Sequence, residues 1–285
     1  MARKSIFELY QQNNDMERDY SRIYALALSE KCITKVSNPN NGWDLKSVFE
    51  IEFRDWKQRG RCITLNDYFD TIGFETIKLG AGSFANQFLT YIEIVYNAWC
   101  FVDKKIQKNR TSVRWGADGK ELRRLMDEVL SEMNQKAYYD PETEQCLIGE
   151  DSPQVTAAVE ATEPETASQI LHYNHRQLAG EISKKKTILH NLAKYLEGRE
   201  SELKSINMQL FTDLNTVFNN LDIRHNNIAQ RECFDYKEKL ARMSPEELEK
   251  WYDDVYQLIL LAILEMDNVK RRKRLRTLIQ DINQK

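Results

Sequence analysis

The sequence predicts an all-α protein: a helical bundle with one small β-hairpin, in which an N-terminal helical region precedes a C-terminal bundle. Three observations predict it. Ten glycines and five prolines in 285 residues are few, and helix interiors tolerate neither. Apolar residues recur at three- and four-residue spacings through long segments. The segment 136–150 drops that period and shows two short apolar pieces around Asp140-Pro141-Glu142-Thr143, which suits a hairpin turn. With 41% apolar and 30% charged residues the chain reads as globular, long enough for one large domain or two ordinary ones.

Residues 5–31 read as one or two helices anchored by Phe7, Leu9, Tyr20, Ile23, Tyr24 and Leu28. Residues 37–44 form a turn cluster, and Asp44 can cap a helix over 45–59. A short element follows at 61–75 with Thr64 as its N-cap, and 79–83 is a flexible break. Residues 84–106 make a strong helix, with Phe88, Leu89, Ile92, Val95, Tyr96, Trp99 and Cys100 in helical spacing. Residues 119–135 are an amphipathic helix. Residues 151–164, acidic and rich in alanine and threonine, read as a linker, although 153–161 could form two helical turns.

The C-terminal part reads as long helices. Residues 165–198 predict one helix with Ile170, Leu171, Leu178, Ile182, Leu189, Leu192 and Leu196 inward, ended by Gly198. Residues 199–223 predict the next, with Leu203, Leu210 and Val217 seven apart and Leu214 and Leu221 likewise. A short helix lies in 234–243. The helix 244–266 opens with a capping box of Ser244, Pro245 at the first helical position and Glu247, and a basic helix ends the chain. The expected organisation is therefore a mostly helical domain of unknown role over 1–150, a linker over 151–164 and a bundle over 165–285.

Several function classes lose their footing here. A net charge of −3 supplies no global basic field, so a nucleic-acid partner needs a local patch. Cys32, Cys62, Cys100, Cys146 and Cys233 are scattered and odd in number, against a disulfide framework and a zinc site. The N-terminus has no apolar signal-type segment, and the apolar run 258–264 is too short to span a bilayer, so a soluble cytoplasmic protein is expected. Leu79-Gly-Ala-Gly-Ser83 lacks a preceding buried strand and a following Gly-Lys-Ser/Thr, and reads as a loop rather than a phosphate cradle. A nucleotide-binding regulatory role for the N-terminal half is the weakest reading. His172 and His175 could face one metal but have no third ligand, and His190 belongs at a bundle edge. No metal and no cofactor are expected.

Two stretches carry candidate chemistry. Lys270, Arg271, Arg272, Lys273, Arg274 and Arg276 put six positive charges into seven residues, a solvated helix end or a phosphate contact. Asn220–Glu232 holds Arg224, His225, Asn226 and Asn227 between two apolar helices. Metal-independent RNA cleavage needs a group to take the 2′-hydroxyl proton and a cation to brace the phosphate. Histidine and arginine are those groups. The structural alternative is a cap, in which the asparagines satisfy backbone groups and Arg224 pairs with a carboxylate such as Glu232.

Over about residues 165–270 the chain resembles the HEPN superfamily, whose members carry arginine, then a polar residue, then a histidine four to six residues after the arginine. Arg224 matches the arginine and His225 the polar slot, while Gln230 stands where the histidine is expected. Upstream, Glu181, Lys185 and Lys186 match a Glu-x-x-x-Lys-Lys/Arg element of some HEPN groups. The two-part layout looks like abortive-infection proteins. The resemblance implies a homodimer whose paired motifs form an RNase site across the interface, in a bacterial phage-defence or toxin system. Arg224 and His225 would be catalytic, with Asn226, Asn227, Glu181 and Lys185 beside them as RNA-binding residues. Glutamine is no general base near neutral pH. That leaves His225 as the acting group, RNA binding without cleavage, or a non-catalytic dimerisation scaffold.

Overall fold

The computed structural model describes residues 6–72, 84–108, 112–225, 227–228 and 236–283. The chain divides into two compact units, one of residues 1–139 and 143–148 and one of 140–142 and 149–285.

The first unit is built on helices α1 (Ile6–Ala27), α2 (Leu45–Glu52), α3 (Leu65–Thr71), α4 (Phe84–Lys108) and α5 (Ala117–Glu132). Asp44 caps α2 by accepting from the Ser47 amide at 2.8 Å, and Thr64 with Asp67 forms a full capping box on α3. Beyond α2 the predicted helix tightens into single 3₁₀ turns at Phe53–Asp55 and Lys57–Arg59. The spacing read along α4 is buried as expected at Phe88, Leu89, Ile92, Val95 and Tyr96. Tyr20 of α1 packs edge-on against Phe88 and Tyr91, while Ile23 of α1 is fully buried.

A three-stranded antiparallel sheet, absent from the sequence reading, joins β1 (Ile33–Lys35) to β2 (Gly42–Trp43) and β3 (Val113–Trp115), in the order β2-β1-β3. Ile33 pairs with both Trp43 and Trp115. Strands of two or three residues carry no readable alternation, and the pairing is non-local, so the pattern could not announce it. Gly119 lets α5 close on this region, because a Cβ there would lie 2.4 Å from the Cys32 carbonyl oxygen.

The expected hairpin is present as β4 (Gln135–Asp140) and β5 (Gln145–Glu150), and the division between the units falls within it. One face of α4 holds β5 through its backbone. The Asn97 amide donates to the Cys146 carbonyl and accepts from the Cys146 N–H, both at 2.8 Å. Glu93, one turn earlier, accepts from the Ile148 N–H at 3.0 Å.

The second unit contains α6 (Pro153–Glu160), α7 (Pro164–Asn174), α8 (Ile182–Glu197), α9 (Glu200–Ile206), α10 (Met208–Asn220), α11 (Glu238–Ala241) and α12 (Pro245–Asn283). Four expectations are corrected here. The linker is the helix α6, capped by Ser152, and it buries Val155 and Ala158. The long helix 165–198 is broken: His175 is extended, a single 3₁₀ turn covers Arg176–Leu178, and Gly180 takes φ +80°. Only glycine adopts that value freely. The helix 199–223 is broken at Asn207, whose side chain accepts from the Leu210 amide and caps α10. The last two predicted helices are instead one, α12, of 39 residues. Its capping box is as read, with Glu247 N–H donating to Ser244 Oγ at 3.2 Å. The apolar residues Leu203, Leu210, Leu214, Tyr252, Ile259 and Ile263 are all buried within the unit. Among the described residues no helix is long and apolar enough to cross a membrane.

Candidate functional site

The stretch after α10 runs beside α8, and Asp222, Ile223 and Arg224 meet side chains there. Asp222 takes the left-handed conformation, φ 60°, and is almost fully buried. It is held by reciprocal bonds: its N–H donates to Asn227 Oδ1 at 2.9 Å, and the Asn227 N–H donates to Asp222 Oδ1 at 2.7 Å. The other carboxylate oxygen faces Lys186 Nζ at 2.6 Å. Ile223 O lies 3.2 Å from His190 Nδ1 on the next turn of α8. The Asn227 carbonyl accepts from the Lys237 amide at 2.8 Å, so this one residue closes the loop at both ends. Above the loop Tyr252 is fully buried with its hydroxyl unpartnered among the described residues. Burial first, and the Asp222 carboxylate second, push its pKa up.

Arg224 is engaged by Glu197, two asparagines and Phe218. Its Nε lies 2.7 Å from Glu197 Oε1, an ion contact without hydrogen-bond alignment. Its Nη1 donates to Asn219 Oδ1 at 3.2 Å and to Asn215 Oδ1, and its guanidinium sits 5.0 Å from the Phe218 ring centre. It borders a cavity of about 300 Å³ that Glu197 and Glu200 also line. An entering phosphate would displace one carboxylate and face another. The carboxylate that the cap reading asked for is therefore Glu197, with Glu232 outside the described residues.

The remaining predicted residues disperse. His225 is exposed and has no hydrogen-bond partner among the described residues. Asn226 and Gln230 lie outside the described residues, as does the 79–83 loop. Glu181 pairs with Lys184 at 3.1 Å, not with the stretch after α10. Lys185 is buried between Glu249 at 2.8 Å and Asp253 at 2.6 Å, with Tyr173 Oη donating to the same Asp253 oxygen at 2.9 Å. The bond from Lys185 holds the Glu249 carboxyl below the usual glutamate range, and the Gly180 N–H adds to it. His172 and His175 do not share a helix face: His172 approaches Asp140 at 3.3 Å, while His175 lies past the end of α7. Among the described residues no three His, Cys, Asp or Glu side chains are grouped to hold a metal ion.

The basic run differs from all of these. Burial along α12 ends at Met266, and every residue from 268 to 283 is exposed. Arg271 pairs with Asp267, whereas Lys270, Arg272, Lys273, Arg274 and Arg276 have no ion-pair partner among the described residues. Leu275, Leu278, Ile279 and Ile282 are exposed on the same segment at helical spacing.

Sequence reasoning overlooked Asp222, Glu197 and Tyr252, and singled out Lys186 without its partner Asp222. The spacing of Asp222 and Asn227, five apart across a turn, was the one available signal. Comparison with known proteins returns no matching family model, curated protein or solved structure.

Proposed function

We propose that the protein is a non-catalytic RNA-binding module of HEPN-like type, a cytoplasmic homodimer in a bacterial phage-defence or toxin setting, which grips phosphates through Lys270–Arg276. The observation that carries this reading is the exposure on one helical segment of five cations that have no ion-pair partner among the described residues. A helix surface of that kind engages a phosphate backbone without needing base recognition. The state of Arg224 supports binding over cleavage, because its charge is already matched by Glu197 and its donors by two asparagines.

The test replaces Lys270, Arg272, Lys273 and Arg274 with glutamine in the full chain and measures affinity for a mixed-sequence single-stranded RNA across salt concentrations, with EDTA present. Binding should weaken at least about tenfold, and the slope of log affinity against log salt should flatten by up to about 3, at roughly 0.7 per lost contact. Unchanged affinity and slope would sink the RNA reading. The parent should leave the RNA uncut, and cleavage that disappears in His225→Ala would restore the ribonuclease. A second reading, a dimerisation scaffold, is favoured by the exposed stripe Leu275, Leu278, Ile279 and Ile282, which suits a partner helix. Loss of the oligomer in a Leu275→Glu, Ile279→Glu variant, with no RNA bound by the parent, would select it.

A further inference from the structure

Two of the scattered cysteines meet in the first unit. Cys100 Sγ on α4 lies 3.3 Å from Cys146 Sγ on β5, both as free thiols. Their sequence separation of 46 residues hid the pairing. The placement is built by one face of α4. Glu93, Asn97, Cys100 and Lys104 recur at helical spacing and meet β5 and its turn in order. Glu93 takes the Ile148 amide, Asn97 takes both backbone groups of Cys146, and Lys104 pairs with Glu144 at 2.9 Å. The backbone grip of Asn97 fixes Cys146 opposite Cys100, so the thiols face each other without depending on their own packing.

The two thiols are unequal. Cys100 lines a cavity of about 270 Å³ together with Lys104 and Lys108, and Glu144 and Asp55 line it as the ion-pair partners of Lys57, Lys104 and Lys105. Cys146 is buried and does not line it. The hydrogen bond with Cys146 lowers the Cys100 pKa against the effect of burial, and Arg123 and Lys104 lower it further. The Cys146 thiol is pushed up by the same bond and by burial. An accessible sulfur with a thiolate bias beside a buried thiol is the arrangement of an attacking and a resolving cysteine.

We infer that Cys100 and Cys146 are an oxidation site that reacts with a small hydroperoxide entering the cavity beside Cys100 and closes into a reversible disulfide. The Cys100 thiolate attacks one peroxide oxygen and the O–O bond breaks. The alkoxide or hydroxide leaves with the proton that Cys100 had released, as alcohol or water. Cys100 is then a sulfenic acid, oxidised by two electrons as the peroxide is reduced. The Cys146 sulfur attacks it, the S–O bond breaks, and hydroxide leaves as water with the Cys146 proton. The product staples α4 to β5, and a thiol reductant reverses it by exchange. This inference does not depend on RNA binding.

The full-length protein is treated with hydrogen peroxide and mapped by mass spectrometry after blocking free thiols. The expected result is one linked peptide pair carrying Cys100 and Cys146, lost on reduction, with Cys32 and Cys62 still free. Oxidation should raise the melting temperature of the first unit by on the order of 10 °C, as a long closed loop is constrained. In Cys146→Ser, Cys100 should accumulate as a sulfenic acid trapped by dimedone. In Cys100→Ser, Cys146 should stay reduced. Lys104→Gln keeps both thiols and should slow disulfide formation several-fold, which covers the case of a serine variant that fails to fold. Absence of the linked pair in the parent overturns the inference. So does oxidation of Cys146 at the parental rate in Cys100→Ser, or an unchanged rate in Lys104→Gln.

Discussion

Lys185 and the cations of 270–276 belong to the same unit and carry the same charge. The Lys185 side chain is 8% exposed and sits between two carboxylates, under Tyr173. The tail cations stand in solvent, five of them without an ion-pair partner among the described residues. The resemblance puts Lys185 beside the Arg224 motif, and the sequence offers the run 270–276 as a phosphate contact. The difference teaches that a cation is available to a ligand only when the fold has not already neutralised it. Partners decide this, and those of Lys185 lie 64 and 68 residues downstream, at Glu249 and Asp253. Arg224 falls on the Lys185 side of the division, and His225 on the other.

The comparison is sharpened most by Lys185→Ala. It strands Glu249 and Asp253 and should cost about 3 kcal/mol, the low end for a broken buried pair because Asp253 is half exposed. Chemical denaturation followed by a probe in the second unit measures it, and a loss under about 1 kcal/mol would move Lys185 to the solvent side. The pH dependence has a defined sign. The Glu249 pKa is depressed in the folded state, so its contribution is present above the unfolded value, near 4.3, and is lost as pH falls through the folded one. The parent should therefore lose stability more steeply than Lys185→Met on acidification below about pH 4.3.

Asn227→Ala comes next, at about 2 kcal/mol, because the buried Asp222 N–H loses its acceptor and a left-handed residue loses its brace. Arg224→Ala should cost about 1 kcal/mol through the lost ion contact and the lost packing on Phe218. His225→Ala should fall within about 0.5 kcal/mol of the parent, as expected of an exposed side chain. Equal losses at Arg224 and His225 would mean that the two share a structural role and that the division is drawn in the wrong place.

Local chemistry was legible wherever one short stretch contained its whole cause. The caps at Asp44, Thr64 and Ser244 and the hairpin turn at 140–143 are of this kind. The apolar period of α4 is another. The break between α7 and α8 was half legible: Gly180 marks it, but its amide is anchored by Glu249, far along the chain. The break at Asn207 looked like helix because the leucine spacing continues through it. The sheet β2-β1-β3 was hidden in pairs of residues that no periodicity covers. The candidate site was legible as a polar stretch and as residue types, not as an arrangement. Nothing near Arg224 in sequence names Glu197, and nothing near Cys100 names Cys146.

The grip of α4 on β5 has one more consequence. A two-stranded ribbon leaves each strand with an outer row of unpaired N–H and C=O groups, and such a row is a template for a strand from another chain. On β5 that row borders Cys146, Leu147 and Ile148, an apolar sequence of the sort that promotes cross-strand aggregation. Here Asn97 answers the N–H and C=O of Cys146, and Glu93 answers the N–H of Ile148. Two side chains one helical turn apart thus imitate the edge of a third strand. The ribbon is closed to addition at the place where its composition would otherwise invite it.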